Sequence, residues 1–597
     1  MPAWFLIRKG GDFQEIGRKH HIPTAAARLI RNRGAVTDED FELYLRGGME
    51  CLHDPALFKD MDTACRLMAD AVVSKEKIRV IGDYDIDGVC SAAILLKGLR
   101  RLSADVDAVI PHRVHDGYGM NSEMIRKAYL DGVKVIITCD NGIAASKEAA
   151  LAKDLGITLV ITDHHEVPYE ESDGVRKYII PDADAVVDPK QEDCSYPFSG
   201  ICGGMVAYKF VSYLYNNRMC GEDFSDVYSD TKFMDELTEL AAFATVGDIM
   251  ELRDENRVIV KRGLELINSD PAPGIKELIE ASGLSGTKIS AYHLGFVLGP
   301  CINATGRIDS AQRALDLLTE NDHENAMRIA GELRSMNESR KAMTEEAVKE
   351  AVEQVESGEF EGMNVLVIFL PDCHESIAGI TAGRIRERYG KPVFIVTRGE
   401  EGLKGSGRSV DSYNMYEAMN EVKDVFTKFG GHAQAAGFSL EEDRLCEMRE
   451  RLNANCKLTP EELRGKLMID MELPLGYVNE DLLAALELME PFGNGNSRPV
   501  FAKRNILLTG ISVMGQKRNS ARLRVVDDNT RTEMVLFKKL EDFEKQIAEK
   551  YGEDVVKSLE ENRSVAVEVR FAAAYSAQWN EFRGVKKIQM AVEDYIL

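Results

Sequence analysis

Three short runs rich in valine and isoleucine, residues 78–81, 133–137 and 157–161, each end in a cluster of acidic or histidine side chains. The clusters are Asp83-Tyr84-Asp85-Ile86-Asp87-Gly88, Asp140-Asn141-Gly142 and Asp163-His164-His165-Glu166. Apolar runs of one strand's length suit strands buried on both faces of a parallel sheet. In such open sheets the carboxyl ends of the strands form the ligand crevice, so clusters far apart in sequence can converge there. Carboxylates packed that closely repel or take up protons unless cations hold them. Oxygen donors mixed with imidazole favour Mg²⁺ or Mn²⁺, and the lack of thiolate pairs argues against structural zinc.

The rest of the chain sets this centre in a larger framework. At 597 residues it exceeds what one core supports. Residues 1–75 carry apolar positions at helical spacing and read as an N-terminal helical segment. Residues 76–320 begin with alternating strand and helix patterns, which predicts a doubly wound parallel sheet, and become mainly helical after about residue 200. Residues 321–357 keep a helical period without proline and read as a connecting helix ~50 Å long. Residues 358–456 repeat the α/β pattern as a second, smaller α/β domain. Residues 457–597 hold many short β-like runs, which predicts a β-barrel of the oligonucleotide-binding (OB-fold) type.

Composition excludes several classes. No apolar stretch approaches the ~18–20 residues that span a bilayer, and the N-terminus lacks a signal-like apolar core, so no membrane partner is expected. Eleven cysteines without a C-x-x-C pair suit reduced thiols in a cytoplasm. A net charge of −25 confines any nucleic-acid contact to a local basic channel. Lys517-Arg518 and Phe582-Arg583 are basic-aromatic candidates for it in the barrel region.

The order and spacing of further motifs resemble the DHH phosphoesterase superfamily and, within it, the RecJ single-stranded-DNA exonucleases. DYDIDG, CDNG, DHH and VDP match the first four motifs, and ATVGDIMEL and INATGRIDSAQRALDLL the next two. GSGRS and FGGHAQAAGFS match the DHH-associated domain, and PFGNGN the OB-fold region. The resemblance implies that Asp83, Asp85, Asp87, Asp140, His164 and Asp248 include the ligands of two Mn²⁺ or Mg²⁺ ions, with Asp140 bridging. It implies that His165 contacts the scissile phosphate beside Asp163, and that Asp188 orients a histidine from behind the ligands. Arg113, Tyr118, Arg307, Ser406, Arg408, Gly430, Gly431 and His432 are the implied DNA contacts. Two departures stand out: Cys373-His374-Glu375-Ser376 where the family has Trp-His-Pro, and Gly247 in place of alanine. Residues 216–236 look like an insertion.

A pair of divalent ions ~3.5–4 Å apart can activate water and clamp both oxygens of a phosphodiester displacement. The expected activity is therefore 5′→3′ exonucleolysis of single-stranded DNA to mononucleotides, in recombinational and mismatch repair. The expected protein is a monomer that works with a single-stranded-DNA-binding protein and a repair helicase. A DHH enzyme acting on very short RNA or cyclic dinucleotides is the near alternative, and a non-catalytic DHH scaffold the distant one. The barrel region and the intact acidic set argue against them.

Overall fold

The structure is a computed structural model. It describes every residue except 1, 114, 173–174, 400–401, 460, 564–566 and 583–584, and of Val175, Glu222 and Phe582 only the backbone. Arg583 thus lies outside the described residues. The chain divides into two compact units, one of residues 49–465 and one of 1–48 with 466–597.

In the larger unit, strands β1 (Lys77–Ile81), β2 (Asp105–Val109), β3 (Val135–Cys139), β4 (Thr158–Thr162) and β5 (Ala185–Val187) form one parallel sheet in the order 2-1-3-4-5. The order reverses between β1 and β3, so their carboxyl ends part and leave the crevice that such sheets use for ligands. Every residue of β3 is buried, as expected of a strand covered on both faces. Helix α1 (Ile86–Arg101) buries thirteen of its sixteen residues against α2 (Gly203–Asn216) and α3 (Thr231–Gly247). Helix α4 (Gly299–Ile308) follows a π-helical turn at Leu294–Leu298.

The expected connecting helix is a single element, α5 (His323–Glu356), of 34 residues. It packs on α6 (Glu375–Tyr389) of a second lobe. That lobe holds a mixed sheet of β6 (Leu366–Phe369), β7 (Val393–Arg398), β8 (Leu403–Arg408), β9 (Lys428–His432) and β10 (Ala435–Leu440), in the order 9-10-8-7-6. Only β6 and β7 run parallel.

The smaller unit is built on a closed five-strand barrel. Phe501–Met514, Ser520–Asp527, Thr530–Leu536, Val585–Ile596 and Val569–Phe582 follow one another round the ring, and the last pairs back onto the first. Closure leaves no free edge for unwanted strand addition. Its Lys517 and Arg518 are exposed in a turn, and Lys586 lies 4.4 Å from the ring centre of Trp579.

The N-terminal expectation needs correction. Residues 1–75 are not one helical segment, because the chain passes from one unit to the other after Gly48. It also opens with a strand, Ala3–Leu6, paired in parallel with Lys466–Ile469 and anchored where Trp4 Nε1 donates to Asp594. Strand partners more than four hundred residues apart leave no local periodicity to read. The following helices bury Ala27, Leu29, Ile30 and Phe41 in the barrel's core. Arg33 clamps Asp470 with both guanidinium nitrogens, and Asn32 Nδ2 donates to the Asp470 carbonyl. Both charged side chains are almost fully buried.

Removing one member of such a pair strands a buried charge at a cost of about 3–5 kcal/mol. Asp470→Ala is therefore expected to lower the stability of the barrel unit in chemical unfolding by that amount. Circular dichroism or tryptophan fluorescence would check this, and a loss below about 1 kcal/mol would mean that the clamp is solvent-screened.

Candidate metal centre and anion pocket

The acidic clusters meet because the chain folds tightly after β1. Asp85 caps α1, its carboxylate accepting from the backbone N–H groups of Asp87 (2.9 Å) and Gly88 (3.2 Å). Residues 86–88 thus form the first helical turn, and the three aspartates converge through it. A side chain at Gly88 would place its Cβ 2.5 Å from Asp83 N, so this position has room only for glycine. Asn303 of α4 holds the turn by accepting from Ile86 N at 2.8 Å. Asp87 accepts from the N–H groups of Gly203 and Gly204, both at 2.7 Å, at the positive end of α2.

Asp140 follows β3 with φ near +61°, a left-handed backbone that a non-glycine residue adopts at some cost. His164 Nε2 lies 3.0 Å from Asp140 Oδ1, 3.4 Å from Asp87 Oδ2 and 3.8 Å from Asp248 Oδ2. Three sets of side chains have ligand atoms within 4.8 Å of one another: Asp83, Asp85 and Asp140; Asp87, His164 and Asp248; and Asp140, His164 and His165. Asp140 belongs to two of them.

The electrostatics are those of a cation site. Burial and then Asp85 push the Asp83 carboxyl up to about 8; burial and then Asp87 push Asp248 up to about 8. Asp85 and Asp140 are raised for the same two reasons, burial first and Asp87 second. The buried Nδ1 of His164 and Oδ2 of Asp188 have no hydrogen-bond partner among the described residues. Hard oxygen donors, one or two imidazoles, crowded negative charge and orphaned polar atoms together fit divalent cations of the Mn²⁺ or Mg²⁺ kind.

One expected role moves. Among the described residues Asp188 makes no hydrogen bond to a histidine; its Oδ1 accepts from Lys190 N at 2.7 Å. The carboxylate that orients a histidine is Asp163. Its Oδ1 meets His165 Nδ1 at 2.8 Å and accepts from His164 N at 2.7 Å, while Oδ2 accepts from Ile143 N at 2.9 Å. Burial alone would raise Asp163, but the contact and charge of His165, the Ile143 N–H and the charge of His164 together outweigh it and hold it low. Burial alone would lower His165, and the same contact lifts it to about 9. Nearly half of the His165 side chain faces solvent, and Tyr118 Oη lies 3.2 Å from its ring while donating to the Asp140 carbonyl.

Beside the metal centre lies a cavity of about 220 Å³ lined by Tyr84, Arg113, Ser376, Lys404 and Ser406. Tyr84 belongs to both places, being flanked in sequence by Asp83 and Asp85, with the Arg113 guanidinium 4.7 Å from its ring centre. Arg307 is half-buried, donates to the Ser376 carbonyl at 2.5 Å, and has its pKa pushed down to about 9, first by loss of solvent and then by Arg113, Arg340 and Arg408. Burial and the same Arg113 charge lower Arg408. Since an arginine does not give up its proton, these shifts record an unneutralised positive field, which an anion would relieve.

Sequence reasoning passed over Tyr84, Lys404, Asn303 and the Gly203-Gly204 amides. It also missed Gly379 of α6, where a Cβ would lie 2.9 Å from both Arg408 Nη2 and Ser406 Oγ. A glycine inside an otherwise regular helix was the available signal. Of the remaining expected contacts, Gly430, Gly431 and His432 are exposed on β9, with Gly430 in register with Gly437 and, through it, Ser406. His374 caps α6 through Ser376. At Gly247 the Cβ of an alanine would sit 2.5 Å from Ile86 Cγ2, so the departure accommodates Ile86.

Comparison with known proteins places these features in a family context. The DHH family N-terminal domain matches residues 77–245, the DHHA1 domain 362–458 and the RecJ OB domain 469–594. The chain is 34% identical to the single-stranded-DNA-specific exonuclease RecJ of Bacillus subtilis over 90% of its own length and 66% of the relative's. It is 31% identical to that of Dickeya dadantii over 96% of both. Among solved structures, RecJ of Thermus thermophilus in complex with Mn²⁺ matches all of this chain and 79% of its own, with TM-score 0.78 and 25% identity. An exonuclease RecJ bound to manganese matches 69% of this chain and 97% of its own, with TM-score 0.57 and 30% identity.

The raised carboxyls make a specific pH dependence. Their folded values near 8 exceed the ~4 of an unfolded chain, so between those limits the folded state holds more protons and loses stability as pH rises. Cations that displace those protons remove the loss. The gain in melting temperature on adding Mn²⁺ to chelator-treated protein should therefore grow from pH 6 to pH 8; an equal gain at both would show that the carboxyls are already ionised without metal.

Proposed function

We propose that this chain, which belongs to the RecJ family of single-stranded-DNA-specific exonucleases within the DHH phosphoesterases, degrades single-stranded DNA from the 5′ end using two divalent cations. Metal-dependent nuclease chemistry comes with the family; end, direction and ion count rest on the geometry. The observation that carries the reading is the adjacency of two opposite fields. An acidic centre and a cavity with Arg113 in its wall and the Lys404–Glu375 pair beside it meet at Tyr84, so one strand can offer a phosphodiester to the first and a terminal phosphate to the second. A 5′-terminal phosphate in that cavity corresponds to degradation in the 5′→3′ direction.

In this reading Asp83, Asp85, Asp87, Asp140, His164 and Asp248 hold the ions, with Asp140 serving both. Bound divalent cations supply a lowered water pKa and charge stabilisation at the phosphate. His165, kept protonated near neutral pH by Asp163, offers an N–H to a phosphate oxygen as charge builds on it. Arg307, Arg408 and Ser406 hold the terminal phosphate, and Arg113 guards it from the Tyr84 side. The open strip of Gly430 and Gly437 beside Ser406 gives backbone amides a close approach to the following phosphates. The barrel, with Trp579 and Lys586 and the Lys517-Arg518 turn, fits a longer strand than a dinucleotide requires. Mononucleotide release, roles in recombinational and mismatch repair, a cytoplasmic monomer, and partnership with a single-stranded-DNA-binding protein and a helicase complete the proposal.

The test uses single- and double-stranded DNA labelled at either end, with a 5′-phosphate or a 5′-hydroxyl, in Mn²⁺. Loss of 5′ label from the single-stranded, phosphorylated substrate is expected first. Arg408→Ala should lower kcat/KM on that substrate by about 10- to 100-fold, the worth of a charge-assisted hydrogen bond, and should nearly abolish the preference for the phosphate. Release of 3′ label first, or an Arg408→Ala enzyme that still prefers the phosphate, would overturn the direction.

A further inference from the structure

The cavity beside the metal centre has a carboxylate in its wall that the terminal-phosphate contacts leave unexplained. Glu375 is the first residue of α6, directly after its cap His374. Its Oε2 lies 2.8 Å from the Nζ of Lys404 on β8, and both side chains line the cavity. Among the described residues Glu375 is the single carboxylate in the lining, and Lys404 meets no other within 4.0 Å. The pair is neutral as a whole, which leaves Arg113 as the lining cation without a carboxylate at that distance among the described residues. An acidic residue in the first turn of a helix ordinarily complements the helix dipole. Here the same residue also faces a site read as the receiver of a phosphate, where negative charge opposes the occupant.

We propose that Glu375 sets how strongly the cavity favours a terminal phosphate over a terminal hydroxyl, and that it holds this preference down. The inference rests on the reading above that the cavity receives the 5′ end. A terminal phosphate carries about −1.5 to −2 charges at pH 7, with a second pKa near 6, whereas a terminal hydroxyl carries none. Glu375 acts on that difference in two ways. It occupies Lys404, whose ammonium would otherwise be free to hold the phosphate. Its own charge also repels a phosphate dianion and leaves a hydroxyl untouched. Arg307 and Arg408 still give the phosphate its advantage, and Glu375 limits that advantage so that both kinds of end are engaged. The charged and titratable groups that face Glu375 are Lys404 of β8, Arg113 and Tyr84 across the cavity, and His374 beside it.

The experiment measures kcat/KM of the full chain in Mn²⁺ on single-stranded oligothymidylate with a 5′-phosphate or a 5′-hydroxyl. The readout is the ratio of the two values. Glu375→Gln keeps the shape and removes the charge, and should raise the ratio about 3- to 10-fold. Glu375→Asp keeps the charge and should hold the ratio close to that of the parent. Should the Gln variant fail to fold, Glu375→Pro removes the carboxylate in a way the helix accepts. Proline suits a first helical position, and His374, with φ −62° and ψ 132°, already has the backbone required before one. It should raise the ratio as Gln does. The gain should be larger at pH 8 than at pH 5.5, where the terminal phosphate has lost most of its second charge. A ratio that Glu375→Gln leaves unchanged would overturn the proposal. A lowered ratio would overturn it too, and would make Glu375 the residue that orients Lys404 toward the phosphate. An Asp variant that behaves like Gln, or an equal gain at both pH values, would reduce Glu375 to a structural part and overturn it as well. A parent without any phosphate preference, unaltered by Arg408→Ala, would instead overturn the reading of the cavity and this inference with it.

Discussion

Everything about the catalytic lobe follows from the need to bring several carboxylates to one edge of a sheet. Asp83, Asp85, Asp87, Asp140 and Asp248 converge where β1 and β3 part, and burial makes their shared negative charge costly. The surrounding fold lowers that cost piece by piece. The start of α1 caps Asp85, the amides of Gly203 and Gly204 hold Asp87, and Gly119 N–H donates to Asp83. No comparable donors reach the Asp140 carboxylate among the described residues, and its neighbour is the imidazole of His164. It is the residue on which cations have most to gain.

The second lobe supplies the opposite field, and the same physics applies with the sign reversed. Arg113, Arg307 and Arg408 crowd one another as the aspartates do, and burial penalises the charges of Arg307 and Arg408. One crowded set has the sign that suits metal and the other the sign that suits phosphate. Tyr84 links the two, since its sequence neighbours Asp83 and Asp85 belong to the acidic set and its ring lies under Arg113. A nuclease that starts at strand ends needs both fields at a fixed spacing, and a rigid turn shared by both is an economical way to fix it.

Much of this was legible from the residues. The parallel sheet followed from three buried Val/Ile runs, and a cation site was expected from the acidic clusters at their ends, whereas Asp248, at the end of a helix, was named only by the family resemblance. The 34-residue helix followed from an unbroken apolar period without proline. What stayed hidden depended on contacts that leave no periodic trace. The Ala3–Leu6 strand finds its partner at Lys466–Ile469, and the N-terminal helices share a core with the barrel, so no local pattern marks the division after Gly48. Asp163 and Asp188 each end a buried strand and look alike in sequence; only the placement of His165 shows which one orients it. Backbone donors such as Gly203 and Gly204 carry no side-chain chemistry to notice. Gly379 reads as a weak point in a helix until Arg408 is seen against it.

Asp140 would join two cation sites, and calorimetric titration with Mn²⁺ tests this directly. The parent should bind two ions. Asp248→Asn should weaken one of them by about tenfold or more and leave the other near its parent affinity, as expected for loss of one charged ligand among several. Asp140→Asn should weaken both. If Asp140→Asn retains one ion at the parent affinity, the two sites do not share that carboxylate and the account of the centre is wrong.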